Sequence, residues 1–371
     1  MILLLLCVVL GAFGCLMIAS TTNAVGNTRY IVTQIGAIII GVFAYAVMSA
    51  LDADWLSEHR FALTAFNVIL LLMLIPFGTD NNTGNRSWLD FPFLPIDIQP
   101  AEICKILFIL VLASVMSSHQ NKPSSPISVI HLALHLGLIM VLNLAISGDL
   151  GVSLIFAFVF VGMAIGGGVS YLWMLLGGAT VAASLPLLWS SLGNYQRNRI
   201  MILFDKSIDP NGINERYHSL RALRSLTGGG LTGQGLFQGT RTQTEGALFA
   251  QHTDFIFAAI GEELGFVGCV LVIVMLALII ARCIWVGTRS QDYLRKMICF
   301  GAASALIFQV YVNVGMCVEW APVIGLTLPF VSYGGSSIVT LYAMVGLVSG
   351  VYAKPNPTSQ ERYIRAPRRF E

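Results

Sequence analysis

Ten apolar stretches, each long enough or nearly long enough to cross a bilayer, follow one another along this chain with only polar or glycine-rich breaks between them. They fall at residues 2–19, 30–50, 61–77, 99–116, 126–146, 149–167, 170–192, 255–281, 297–318 and 324–352. A membrane-crossing helix needs about 20 mainly apolar residues, and no soluble core of 371 residues could bury ten such segments. Composition agrees, since 56% of residues are hydrophobic and 11% are charged, against roughly 25% charged in soluble domains. The expected fold is therefore all-α, a polytopic membrane protein of about ten helices forming one integral membrane domain over residues 1–371. The first stretch has no charged leader before it and resembles the other nine, so it reads as a span and not as a cleaved signal.

Lys and Arg in short loops set orientation. One set of connections holds Arg60, Lys122, Arg282, Arg289, Arg295 and Lys296, and the tail over 353–371 adds Lys354, Arg362, Arg365, Arg368 and Arg369. The opposite set holds only Arg29 and Arg86 in its short loops. Both termini are then expected in the cytoplasm, with the segments 78–98 and 193–253 on the outer side. Seven basic residues lie in the second of these, but long loops cross a membrane largely regardless of charge. The seven cysteines all fall in or beside apolar spans, form no CxxC pair, and read as packing residues. The net charge of +2 carries no signal for nucleic acid.

Each ionisable group near the membrane costs several kcal/mol at the bilayer centre unless paired or hydrated. Glu102 and Lys105 stand three apart on one helix, either as a structural ion pair or as substrate contacts. Asp149, in Ser147-Gly-Asp-Leu-Gly151, is placed to cap the next helix or to meet a ligand or metal. Asp254, in His252-Thr-Asp-Phe, is either a cap or a general base held under the long loop, with His252 and Thr253 beside it. Glu262 and Glu263 lie about 12–13.5 Å further along the helix, too far to partner Asp254 directly, and are expected to contact polar groups of the bundle. The glycine run Thr227 to Gly239 lacks a P-loop ending and reads as a flexible lid. Leu328-Pro-Phe-Val-Ser-Tyr-Gly-Gly-Ser-Ser337 interrupts the last span, by close packing or by lining a cavity.

On these residues the chain resembles the SEDS (shape, elongation, division and sporulation) family, which includes RodA, FtsW and SpoVE. The resemblance rests on Phe91 to Lys105 with Gln99-Pro-Ala-Glu102, on His252 to Gly265, and on Gly325 to Ser337, with Tyr195-Gln-Arg-Asn-Arg199 and Asn313-Val-Gly-Met316 in support. It implies a peptidoglycan glycosyltransferase of the bacterial cytoplasmic membrane that extends glycan strands from lipid II at the outer face and releases undecaprenyl pyrophosphate. It also implies a class B penicillin-binding protein as partner. The family's essential Asp corresponds to Asp254, with Glu102, Lys105 and Asp149 in support. Arg86, Lys105, Arg197 and Arg199 are candidates for diphosphate contacts, with His252, Thr253, Ser336 and Ser337 as further substrate-binding positions. A Mg²⁺ or Mn²⁺ ion shared between phosphate and Glu102 or Asp149 is a further expectation. A lipid II flippase or transporter, or a non-enzymatic scaffold for a penicillin-binding protein, are the competing readings, since either would also use intramembrane charges and broken helices.

Overall fold

The computed structural model describes residues 2–23, 26, 28–79, 86–90, 97–191, 193–214 and 216–353. The apolar stretches form α1 (Ile2–Asn23), α2 (Arg29–Ala50), α4 (Arg60–Leu72) continued by α5 (Leu74–Phe77), α6 (Pro100–Ser118), α7 (Pro126–Ile146), α8 (Leu150–Gly166), α9 (Tyr171–Ser191), α12 (Ile256–Arg289), α13 (Tyr293–Cys317) and α14 (Gly335–Ala353). A short helix α3 (Ala53–Glu58) precedes α4, and the segment between α9 and α12 carries α10 (Asn194–Met201) and α11 (Tyr217–Gly228). Eight of the helical segments are long and apolar enough to cross a membrane, and α8 and the Tyr171–Pro186 part of α9 are shorter apolar helices. Strand structure among the described residues is confined to a two-residue ladder, Gly78–Thr79 against Trp88–Leu89, extended by a bridge from Leu89 to Ile98. The basic tail beyond Ala353 and most of Phe91 to Ile98 lie outside the described residues.

Burial sorts the helices into a centre and a rim. Along α6, α13 and α14, 78%, 67% and 72% of the apolar window is buried inside the protein, against 22% in α2 and α7. A helix apolar on all sides suits either setting, since lipid accepts the same side chains that a core does. Rim residues such as Phe43, Phe61 and Val141 are exposed accordingly. α14 lies so close to α2 that a Cβ at Gly346 would meet the Tyr45 carbonyl at 2.6 Å and one at Gly350 the Ser49 carbonyl at 2.7 Å. Small residues let the backbones approach in this way. α9 exposes Leu172, Leu175, Val181 and Leu185 and leaves an apolar face at the rim. At the end of the bundle that carries the basic loops, Arg295 pairs with Asp54 at 3.2 Å and joins α13 to α3. Six of the seven cysteines are buried, Cys15 is half-buried, and all are unpaired.

Two expectations change. The tenth stretch, 324–352, is helical only from Gly335, because residues 319–334 run irregularly through the bundle. The glycine run is no loose lid: it is laced onto α12. That helix breaks at Gly265, whose φ of 67° lies in the left-handed region. The break frees main-chain groups, and the loop takes them up. Gln234 and Gly235 donate to the Glu262 and Glu263 carbonyls, while Phe266 and Val267 donate to the carbonyls of Gly230 and Leu231. Several backbone N–H groups of the run thus serve main-chain carbonyls, and that of Phe237 serves a protein carboxylate. Glu262 accepts from the main chain of Arg241 and Thr242, and Glu263 from Phe237, Ser20 and Thr242.

Candidate active site

The site is built where the irregular 319–334 segment meets the start of α12. Tyr333 donates its N–H to the His252 carbonyl at 2.8 Å, and the Ser332 hydroxyl donates to the Thr253 carbonyl at 2.7 Å. Asn313 of α13 donates one amide group to both the Asp254 carbonyl at 2.8 Å and the Leu326 carbonyl at 2.7 Å. Gln34 of α2 closes the arrangement, donating to the Ser332 carbonyl and accepting from the Gly334 N–H. Three successive carbonyls, those of residues 252–254, are thereby pinned by side chains and main chain from two other elements, the irregular segment and α13. The consequence is a fixed backbone under Asp254.

The Asp254 carboxylate is left for other work. The cap position of α12 is Phe255, with no side-chain cap bond, so the helix-capping reading of Asp254 is not realised. Among the described residues its carboxylate has no hydrogen-bond partner, and the residue is half-buried. Burial, and then the nearby Asp149 carboxylate, push its pKa from the ordinary value up to about 6. Both causes disfavour the charged form.

Asp149 does cap α8, accepting from the Val152 N–H at 3.0 Å, and its other oxygen lies 3.5 Å from the Gln99 amide. The ligand reading stays compatible with this, because the carboxylate sits within electrostatic reach of Glu102, Lys105 and Asp254. Glu102 and Lys105 form an ion pair at 2.8 Å with both side chains nearly fully buried, and the Thr340 hydroxyl of α14 donates to Glu102 at 3.0 Å. The Ser336 hydroxyl accepts from the Gln99 N–H at 3.3 Å, and Ser337 is 3.4 Å from the Thr327 hydroxyl. The predicted residues of α6, α8, α12 and α14 thus converge.

The remaining predicted residues are more scattered. His252 is a packing member, its ring 4.6 Å from that of Tyr30 and 5.7 Å from that of Tyr333, with burial lowering its pKa. Thr253 bonds within its own turn, to the Ala250 carbonyl. Arg197 donates to the Trp189 and Ser190 carbonyls and so closes the end of α9, whereas Arg199 donates to the Val323 carbonyl and reaches the irregular segment. Arg86 is exposed beside the two-residue ladder. Sequence reasoning points to none of Asn313, Gln34 and Ser332 as a site residue. Their signal in the sequence is weak: amides and a hydroxyl inside apolar spans, which must find partners there. Glu102 and Asp149 fit a divalent cation only as two of its six or so ligands, and no group of three or more metal-ligating side chains exists among the described residues.

A second cluster ties the long loop to this segment. Glu319 accepts two bonds from Arg216, at 2.7 and 2.8 Å, and one from Lys206 at 3.0 Å. Burial pushes the Glu319 carboxyl up, but the Arg216 and Lys206 bonds outweigh it and hold the pKa below the ordinary 4.5. A lowered carboxylate stabilises the fold fully above its ordinary value, and that contribution is lost as pH falls through the lower folded one. Limited proteolysis of loop 203–216 should therefore accelerate below about pH 4.5 in the wild type. In Arg216→Ala it should be fast at every pH. Cleavage independent of both would show that this contact does not hold the loop.

A family model described as "cell cycle protein", that of FtsW, RodA and SpoVE, matches residues 1–356. The chain is 35% identical over 324 residues to peptidoglycan glycosyltransferase MrdB of Escherichia coli K12, covering 86% of this chain and 84% of that protein. It is 27% identical over 379 residues to the probable peptidoglycan glycosyltransferase FtsW of Bacillus subtilis, covering 97% and 93%. Among solved structures, a chain of a peptidoglycan synthase complex described as coordinating polymerisation and crosslinking superposes with a TM-score of 0.79 at 27% identity, covering 95% of this chain and 96% of that one. The rod shape determining protein RodA of Thermus thermophilus superposes with a TM-score of 0.69 at 25% identity, covering 95% of each.

Proposed function

The chain belongs to the FtsW, RodA and SpoVE family, and we propose that its chemistry is performed at Asp254, on the outer face of the membrane. It is a multi-pass cytoplasmic membrane protein and a peptidoglycan glycosyltransferase, polymerising lipid II with a class B penicillin-binding protein as the crosslinking partner. The observation that carries the site assignment is the Asp254 carboxylate: unspent on the protein, set on a pinned backbone, and raised to a pKa of about 6.

Asp254 takes the proton from the 4-hydroxyl of the acceptor GlcNAc as that oxygen attacks the anomeric carbon of the donor MurNAc. The bond from that carbon to the diphosphate oxygen breaks, and undecaprenyl pyrophosphate leaves with the electron pair. A base with pKa near the working pH suits this transfer better than an ordinary Asp at about 3.9. The rest of the barrier falls through positioning and through cations facing the departing diphosphate. Lys105 and Arg199 are the better placed of the four candidates, Lys105 through its reach to Asp149, and Arg199 through its bond to the irregular segment. Arg197 and Arg86 are secondary. The exposed apolar faces at the rim, that of α9 among them, suit the polyprenyl chains.

Glu102 or Asp149 would hold a Mg²⁺ or Mn²⁺ ion, which would supply positive charge toward the substrate phosphate. Activity that survives excess EDTA would exclude an essential exchangeable ion.

The buried Glu102 and Lys105 pair also makes a prediction about stability. Removing one partner of such a pair costs about 3–5 kcal/mol, because the other charge is stranded. Glu102→Ala should lower thermal stability by that amount, and Glu102→Ala with Lys105→Met should recover most of it. Equal loss in the single and double variants would mean that the two residues do not act as a pair.

The function itself is tested by reconstituting the protein in liposomes with purified lipid II, alone and with its penicillin-binding partner. Glycan strands are expected. Movement of lipid II across the bilayer with no new glycosidic bond would favour the transporter reading, and inactivity in both assays would favour the scaffold.

A further inference from the structure

A cavity in the long loop, whose lining does not include Asp254, is lined by three arginines. Arg221 and Arg224 come from α11 and Arg241 from the glycine-rich segment, and together with Tyr217, Thr244 and Glu245 they line a groove of about 430 Å³. The three guanidiniums face a single carboxylate, that of Glu245. Two of the arginines are held in place. Arg221 donates to the carbonyls of Gly246 and Ala247 and lies 4.1 Å over the Tyr217 ring, while Arg241 donates to the Arg224 carbonyl. Arg224 itself is exposed, and among the described residues its guanidinium has no partner. The groove therefore offers a preorganised cationic wall with one uncommitted fork, which matches carboxylate geometry.

Its position ties it to the reaction. The next residue of α11, His218, packs its ring 4.4 Å from Phe249 and 6.4 Å from Phe255, the neighbour of Asp254. The other side of the groove hangs on α12 through the bond from the Arg241 N–H to Glu262 at 2.7 Å. A ligand in the groove is thus held by a loop that packs against the neighbour of Asp254 and is bonded to α12.

We propose that this groove binds the carboxylate-bearing peptide stem of the peptidoglycan chain, so that the enzyme grips its substrate by peptide as well as by sugar and diphosphate. The assignment rests on the glycosyltransferase reading for the identity of the peptide. A volume of about 430 Å³ admits a few residues of extended peptide.

The test has two arms. In the first, binding of a soluble stem tetrapeptide with free carboxylates is measured on the full-length protein in nanodiscs, beside its fully amidated counterpart and inorganic diphosphate. The free peptide should bind at least about tenfold more tightly than the amidated one, and Arg224→Glu should remove the difference. Arg224→Gln, which removes the charge without reversing it, should give an intermediate loss, with thermal unfolding confirming that both variants are folded. Equal binding of free and amidated peptides would overturn the proposal, as would diphosphate displacing the peptide while itself binding more tightly. In the second arm, the KM for lipid II should rise about tenfold in Arg224→Glu, and this rise should vanish when the stem is amidated. A wild type that binds the free peptide selectively yet makes no strands even with its penicillin-binding partner present would overturn the glycosyltransferase reading and leave the groove intact, so the two failures are distinguishable.

Discussion

Asp254→Asn should leave a folded protein that binds lipid II and makes glycan strands about 10²- to 10⁴-fold more slowly, the range expected for a lost general base. The substitution is close in size, and the contacts that hold residue 254 run through its main chain, to Asn313, with Ser332 and Tyr333 holding the two residues before it. Stability should accordingly change little, because no described cap bond or ion pair depends on the carboxylate. The wild-type enzyme also carries a pH signature. With a folded pKa of about 6, the active, ionised form predominates above that value and is lost below it. Strand synthesis should therefore fall about tenfold per pH unit below pH 6 and level off above it. Asn at the position should abolish that limb in whatever residual rate remains. Strand synthesis by Asp254→Asn at the wild-type rate would remove Asp254 from the chemistry. An acid limb centred near 4 would leave its role in place but show that burial and Asp149 do not tune it.

Much of this architecture is legible in the sequence because a membrane restricts the options. A backbone in hydrocarbon must satisfy itself, so a long apolar run has helix as its main solution, and the runs of α1, α6 and α13 announce themselves. The charged members of the site are legible for the same reason: Glu102, Lys105 and Asp254 have no place in apolar segments unless something requires them. What hydropathy hides is where an apolar run stops being a helix. Residues 324–334 are as apolar as the helix that follows, yet they run irregularly because Asn313, Gln34 and the main chain of His252 take up their backbone groups. Those partners lie 13 to about 300 residues away, beyond any local pattern. Gly265 is equally silent, since its left-handed φ follows from the loop laid across it. The glycine run misleads in the opposite direction. Composition suggests mobility, whereas two of its glycines, Gly229 and Gly233, are required because another backbone passes too close for a side chain.

Gly233 supports the largest structural effect that follows from this. Its φ is 83°, a region that β-branched residues essentially avoid, and a Cβ there would overlap the main chain of Glu263 and Leu264. Neither neighbour can retreat. The Glu263 carbonyl already accepts from Gly235, and its carboxylate is held by Ser20, Thr242 and the Phe237 N–H. Gly233→Val should therefore unseat the loop from α12, leave the Glu262 and Glu263 groups without their partners, and cost about 4 kcal/mol or more, the scale reserved for backbone clash and stranded buried polar groups. Gly230→Ala provides the contrast. Its φ is 57°, also left-handed, but a Cβ there has nothing within 4 Å, so only the conformational cost of about 1–2 kcal/mol applies. Thermal unfolding in detergent, limited proteolysis across 229–247 and strand synthesis should separate the two variants, with Gly233→Val losing all three properties and Gly230→Ala keeping most of each. If Gly233→Val unfolds and is cleaved like the wild type, the loop does not depend on its docking to the broken helix. If it is cleaved readily but still polymerises lipid II, the docked loop supports the fold without being required for the chemistry at Asp254.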